Sequence, residues 1–193
     1  MKDAAVYIIH GYLASPSHHW FPWLKRQLAA EGAQVFVPPM PDPEHPDPAE
    51  WIEFLDANVH THDERTFFVA HSLGCIALLR HLERVSADTR IGGLVLVSGF
   101  SEPLPGLPLL DAFTLDGYDV EHITRIAPRR TVLAALDDSI VPYAHSERLS
   151  RELRVKLVTL PIGGHFLESD GFTELPVALN ELESMIADRR RTH

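Results

Sequence analysis

Residues 66–79, TFFVAHSLGCIALL, constrain this chain more than any other stretch. Strand-prone, mostly apolar residues lead into Ser72, which is flanked by His71 and Leu73, and an apolar helical segment follows Gly74. A strand that turns sharply into a helix with a serine at the bend lifts a hydroxyl clear of the sheet. It also aims nearby backbone N–H groups at whatever that hydroxyl attacks. The pentad reads A-H-S-L-G where the usual form is G-x-S-x-G, and alanine at position 70 is small enough for a close strand–helix crossing. Taken alone, Ser72 also reads as an ordinary helix N-cap. The choice turns on whether an acid and a base follow, each after a strand.

Both follow. TVLAALDDSIVP (131–142) and VKLVTLPIGGHFLE (155–168) are apolar runs that end in polar loops. The first loop carries Asp137 and Asp138, and the second carries His165 after two glycines. The order Ser, Asp, His differs from the orders of the trypsin-like and subtilisin-like constellations. Neutral imidazole near pH 7 suits His165 to general-base work.

The surrounding sequence fits an alternating α/β chain. Residues 4–9 form a continuous apolar run, as expected of a strand buried on both faces of a parallel sheet. Helical spacing follows over 19–30, and a short strand over 34–37. After a proline-rich loop, Asp47 is placed to N-cap a helix that starts at Pro48 and buries Trp51, Ile52, Leu55 and Val59. Strands are expected over 91–97, 131–136 and 155–160, and helices over 144–153 and 175–187. Residues 101–128 show the weakest pattern, with short helices expected at 109–113 and 120–126. The fold class is thus α/β, a single-domain three-layer sandwich over 1–193 with a mostly parallel sheet. Ligands of such folds sit beyond the carboxyl ends of the strands.

Charge and cysteine content narrow the function. The net charge of −10 (27 acidic, 17 basic) argues against a nucleic-acid partner and against an anionic membrane surface. The basic run 189–191 is read as a solvated helix end that complements the helix dipole. Cys75 is the sole cysteine, so no intrachain disulfide forms, and a reducing compartment fits. The apolar run near the N-terminus is too short for a signal peptide or membrane helix, so the expected location is the cytoplasm. The 12 histidines, including His18-His19 and His60-x-His62, define no zinc set. No phosphate-cradling or dinucleotide glycine motif is present, so neither metal nor cofactor is expected. Cys75 reads as a small buried apolar residue, His71 as a packing or wall-lining group, and His10 as a group that braces the loop after the first strand by hydrogen bonding.

The helix that starts at Leu73 offers its dipole and the Leu73 N–H to a developing oxyanion. A second donor is expected from the loop after the first strand, with Tyr12 N–H the choice and Leu13 N–H the fallback. Trp20, Phe100 and Leu13 are taken as pocket residues. Of the paired aspartates, Asp137 is the first loop residue and can brace its turn through backbone N–H groups. Asp138 stands one residue nearer the carboxyl edge, with Ile140-Val141 able to anchor its loop, and is taken as the acid.

The stretches 7–24, 69–83, 94–100, 137–142 and 163–176 make the chain resemble the small serine hydrolases of the YdeN type. These are related to the retinoblastoma-binding serine hydrolase group within the α/β-hydrolase superfamily. The resemblance implies a compact fold without a large lid. It also implies a minimal six-stranded sheet of order 2-1-3-4-5-6, and a triad falling on Ser72, Asp138 and His165. It further implies esterase activity with no assigned natural substrate, and the ordered Ser72, Asp138 and His165 make hydrolysis of a small-molecule ester through an acyl-enzyme on Ser72 the expected chemistry. Short acyl chains are expected, because only 101–128 has room to form a cover. The alternative is a catalytically weak hydrolase fold that serves as a protein-binding module.

Overall fold

A computed structural model describes residues 1–191. Six parallel strands form one sheet in the order β2-β1-β3-β4-β5-β6. They are β1 (Ala5–Ile9), β2 (Gln34–Phe36), β3 (Thr66–His71), β4 (Gly93–Val97), β5 (Arg130–Ala135) and β6 (Lys156–Leu160). The helices are α1 (Phe21–Ala30), α2 (Pro48–Asn58), α3 (Leu73–Leu82), α4 (Val120–Ile126), α5 (Tyr143–Glu152) and α6 (Pro176–Arg191). The sheet is therefore parallel throughout, with the order that the resemblance implies.

Strand alternation divides the core in two. Val6, Ile8, Phe67, Val69, Val95 and Leu133 face α1 and α6, where Leu24, Leu28, Leu182 and Ile186 meet them. Tyr7, Ile9, Phe68, Leu94, Leu96 and Val132 face the other layer, against Trp51, Leu55, Leu79 and Leu149. Covering both faces explains why these strands read as unbroken apolar runs. β3 and β4 are buried along their whole length.

Local signals placed most boundaries. Asp47 caps α2 by accepting from Ala49 N (2.8 Å) and Glu50 N (3.0 Å), as its sequence context predicts. The helix expected from residue 19 starts at Phe21, because His19 takes a left-handed backbone (φ 55°) that α1 cannot include. The weakly patterned segment forms a 3₁₀ turn at Pro108–Phe113 and then α4. Within the basic run 189–191, Arg189 donates to the Glu64 carbonyl at 3.5 Å. The side chains of Arg190 and Arg191 lie outside the described residues.

The register sets the strand ends level. Ile9 pairs with Ala70, His71 with Val97, Val97 with Leu133, and Ala135 with Leu160. The loops that follow β1, β3, β5 and β6 therefore emerge along one edge. Two glycines let α3 cross that edge closely. A Cβ on Gly74 would stand 2.5 Å from the His10 carbonyl oxygen, and one on Gly11 would stand 2.9 Å from Ser72 Cβ. Both distances are shorter than real side chains show, so neither position has room for alanine without backbone movement.

Candidate active site

Ser72 occupies the turn between β3 and α3 with φ 55° and ψ −126°, a backbone region that non-glycine residues seldom enter. Its hydroxyl makes no capping bond to α3, so the simple N-cap reading does not describe it. The residue is nearly buried, and it lines a cavity of about 280 Å³ at the carboxyl edge together with His165.

Asp138 is the aspartate that reaches His165. Its Oδ2 lies 2.8 Å from His165 Nδ1, and both side chains are almost sealed from solvent. Asp138 Oδ1 accepts from Ile140 N and Val141 N, each at 2.9 Å, so the loop after β5 fixes the carboxylate at both oxygens. With Nδ1 facing the carboxylate, the neutral ring carries its proton there and leaves the Nε2 lone pair free.

Asp137 has a different task from bracing its own turn. Its Oδ1 accepts from Gly163 N (2.8 Å) and Gly164 N (2.9 Å), tying the loop after β5 to the loop that carries His165. Those bonds, Gly164 first, hold the Asp137 carboxyl below the usual carboxylate range. Two further groups that sequence reasoning missed grip the same loop. Asp170 Oδ2 accepts from His165 N (2.9 Å) and Leu167 N (3.1 Å), and His71 Nε2–H donates to the His165 carbonyl at 2.9 Å. The left-handed Gly164 was the available signal: a Cβ there would meet the Asp170 carboxylate at 2.7 Å.

The loop after β1 is set by His10. Its Nε2 accepts from Met40 N (3.0 Å), so its Nδ1–H donates to the Gly11 carbonyl (3.0 Å). Because a trans peptide opposes its C=O and N–H, pinning the Gly11 oxygen fixes the direction of the Tyr12 N–H. Among the described residues nothing accepts that N–H, whereas Leu13 N–H is occupied by the Pro43 carbonyl at 2.9 Å. The fallback donor is thereby removed. Leu73 N–H, at the first position of α3, has no carbonyl within the helix to bond.

Tyr12 and Leu13 line the cavity, and Leu13 is 58% exposed at its rim. Leu107, Leu110, Ile140 and Leu167 supply most of the remaining apolar wall. Two expected pocket residues are corrected. Trp20 is fully buried in the core, its ring 5.9 Å from that of His71, and Phe100 is buried in the opposite core layer. Each is a large apolar side chain beside a site loop, and the core claimed it instead. Burial pushes the Cys75 thiol up, consistent with a small core residue. No group of three or more metal-ligating side chains occurs among the described residues. No helix among them is long and apolar enough to cross a membrane.

The sequence profile described as "Serine hydrolase" matches residues 6–184. The chain belongs to the serine hydrolase family. It is 45% identical over 186 residues to the hydrolase YdeN of Bacillus subtilis, covering 96% of this chain and 98% of that protein. The crystal structure of the B. subtilis ydeN product superposes with a TM-score of 0.93 over 95% of this chain and 99% of the other. Serine hydrolase RBBP9 of Rattus norvegicus is 27% identical over 161 residues, 82% of this chain and 83% of that protein. Est1E of Butyrivibrio proteoclasticus shares the fold at 16% identity, with a TM-score of 0.73 over 96% of this chain and 88% of that one.

Five histidines make this hydrolase sensitive to acid. Burial holds His10, His71 and His81 below the ordinary histidine range, and holds His19 and His62 down at about 4. The unfolded chain takes protons on these side chains near pH 6.5, and the folded chain does so only at lower pH. Their contribution is therefore complete above about pH 6.5 and is lost as the pH falls from there. Urea unfolding is expected to show a clearly lower midpoint at about pH 5.5 than at about pH 7.5, and equal midpoints would refute this account.

Proposed function

We propose that this serine hydrolase cleaves a small carboxylic ester through an acyl-enzyme on Ser72, with His165 as base and Asp138 as the acid that orients it. The observation that carries the reading is the sealed Asp138–His165 bond on the wall of the cavity that Ser72 lines. In the first step His165 Nε2 takes the Ser72 proton as Oγ attacks the ester carbonyl. The tetrahedral oxyanion is held by the Leu73 and Tyr12 N–H groups and the N-terminus of α3. Collapse breaks the bond to the alcohol, whose oxygen takes the proton from the His165 imidazolium. Water then repeats the sequence on the acyl-enzyme, releasing the carboxylic acid and restoring Ser72. The chemistry draws on no cofactor, and the lone buried cysteine is compatible with a cytoplasmic setting.

A fluorophosphonate probe is expected to label the wild-type protein and to leave Ser72→Ala unlabelled. Folded wild-type protein that stays unlabelled would count against the reading and favour a binding module.

The adjacent aspartates separate by kinetics. Asp138→Asn should lower turnover by about 10³- to 10⁴-fold while the protein stays folded, because the imidazole loses its tautomer and compensating charge. Asp137→Asn should lower the melting temperature through the His165 loop, with a far smaller loss of rate. Reversed kinetic effects would overturn the assignment.

The acyl group is expected to be short. Leu107 and Leu110 reach the cavity from the 101–128 segment, and its volume of about 280 Å³ is near the low end for ligand sites. A series of nitrophenyl esters should therefore be cleaved fastest at short chain lengths, and a maximum at long chains would contradict this.

A further inference from the structure

His19 stands on the cavity wall with Ser72 and His165, yet the chemistry above gives it no part. Its position is tightly fixed. His19 Nδ1 accepts from Glu168 N (3.1 Å), and His19 N donates to Glu168 Oε2 (3.3 Å), a reciprocal pair joining the loop after β1 to the loop after β6. Since Nδ1 is the acceptor, the neutral ring carries its proton on Nε2. Among the described residues nothing bonds that Nε2, and it is not one of the sealed polar atoms. Burial keeps the ring neutral, holding its pKa down at about 4, so the donor persists across the working pH range.

The other histidines facing the cavity are committed. His71 Nε2–H is used by the His165 carbonyl, and His165 Nδ1–H by Asp138. The Glu168 bonds and the His71 ring place His19 on the His165 side of the cavity. The His71 ring lies 4.8 Å from that of His165 and 5.9 Å from that of His19. His165 faces the alcohol oxygen of the ester, because it must return the serine proton to that atom. A donor on that same side is placed to meet the alcohol part of the ester rather than the acyl chain.

We infer that His19 is a specificity-determining residue, donating its Nε2–H to an oxygen within the alcohol part of the substrate. The inference rests on the ester-hydrolase reading and narrows it. The preferred substrate is a short-acyl ester of an oxygen-bearing alcohol, such as a glycol or alkoxy alcohol, over the ester of a plain alkyl alcohol. Leu13, Leu107, Leu110, Ile140 and Leu167 make much of the cavity wall apolar, so an oxygen that meets the His19 donor gains a bond that a methylene does not.

The test compares n-butyl butyrate with 2-methoxyethyl butyrate, which differ by one CH₂ replaced by O. Ratios of kcat/KM are normalised to the hydroxide-catalysed rates. Wild-type protein is expected to favour the methoxyethyl ester about fivefold, the worth of one neutral hydrogen bond. His19→Asn keeps an acceptor for Glu168 N in the place of Nδ1, tolerates the left-handed backbone and lacks the Nε2 donor, so it should erase the preference. His19→Gln places an amide N–H near the position of Nε2 and should restore part of it. A wild-type preference that survives unchanged in His19→Asn, or no wild-type preference at all, overturns the role of His19. Failure of wild-type protein to cleave either ester, with Ser72 unlabelled by fluorophosphonate, instead defeats the ester-hydrolase reading on which the inference stands.

Discussion

The carboxyl edge of the sheet depends on one close approach, that of Gly11 and the end of β1 against the turn between β3 and α3. A left-handed serine costs about 1–3 kcal/mol, and it persists only where its surroundings leave no alternative. Ser72 N donates to the Val97 carbonyl at 2.9 Å, which anchors the turn to β4. Gly11 lies against Ser72 Cβ, and Gly74 lies against the carbonyls of Ile9 and His10. The buried faces of β3 and α3 then hold the crossing from both core layers. The strained residue is thus held by packing that the sheet requires in any case.

A second layer of organisation acts on backbone, not on side chains. Asp138 orients the His165 ring, while Asp137, Asp170 and His71 hold the chain on which that ring is mounted. Three of these four groups are carboxylates that accept N–H donors of the same short loop or its histidine. His10 does equivalent work on the opposite side through the Gly11 carbonyl. The acidic balance of the chain has a local use here, since carboxylates satisfy loop N–H groups that no secondary structure pairs.

The sequence disclosed what local chemistry determines. Unbroken apolar runs identified the strands, Asp47 identified the start of α2, and the order of Ser72, Asp138 and His165 pointed to one sheet edge. It did not disclose contacts made between distant loops. The Asp137 bonds to Gly163 and Gly164, the Asp170 bonds to His165 and Leu167, and the His19–Glu168 pair have no periodicity to reveal them. Trp20 and Phe100 were misplaced for the same reason. A large aromatic beside a site loop satisfies either a pocket or a core, and only the packed layers decide. The start of α1 was misread because helical spacing continues through His19, whereas its backbone does not.

These distant contacts also bear on how the molecule comes to exist. The bond from His71 to the His165 carbonyl spans 94 positions, and the His19–Glu168 pair spans 149. Closing loops of such length is slow, and parallel strands, which need a crossover for every pairing, delay it further. The elbow at Ser72 belongs to the middle of the sheet and is made from early parts of the chain. The loop that carries His165 arrives only with β6, at the far edge. During synthesis Ser72 therefore emerges well before His165, and the cavity that both line is complete only when the last strand is in place.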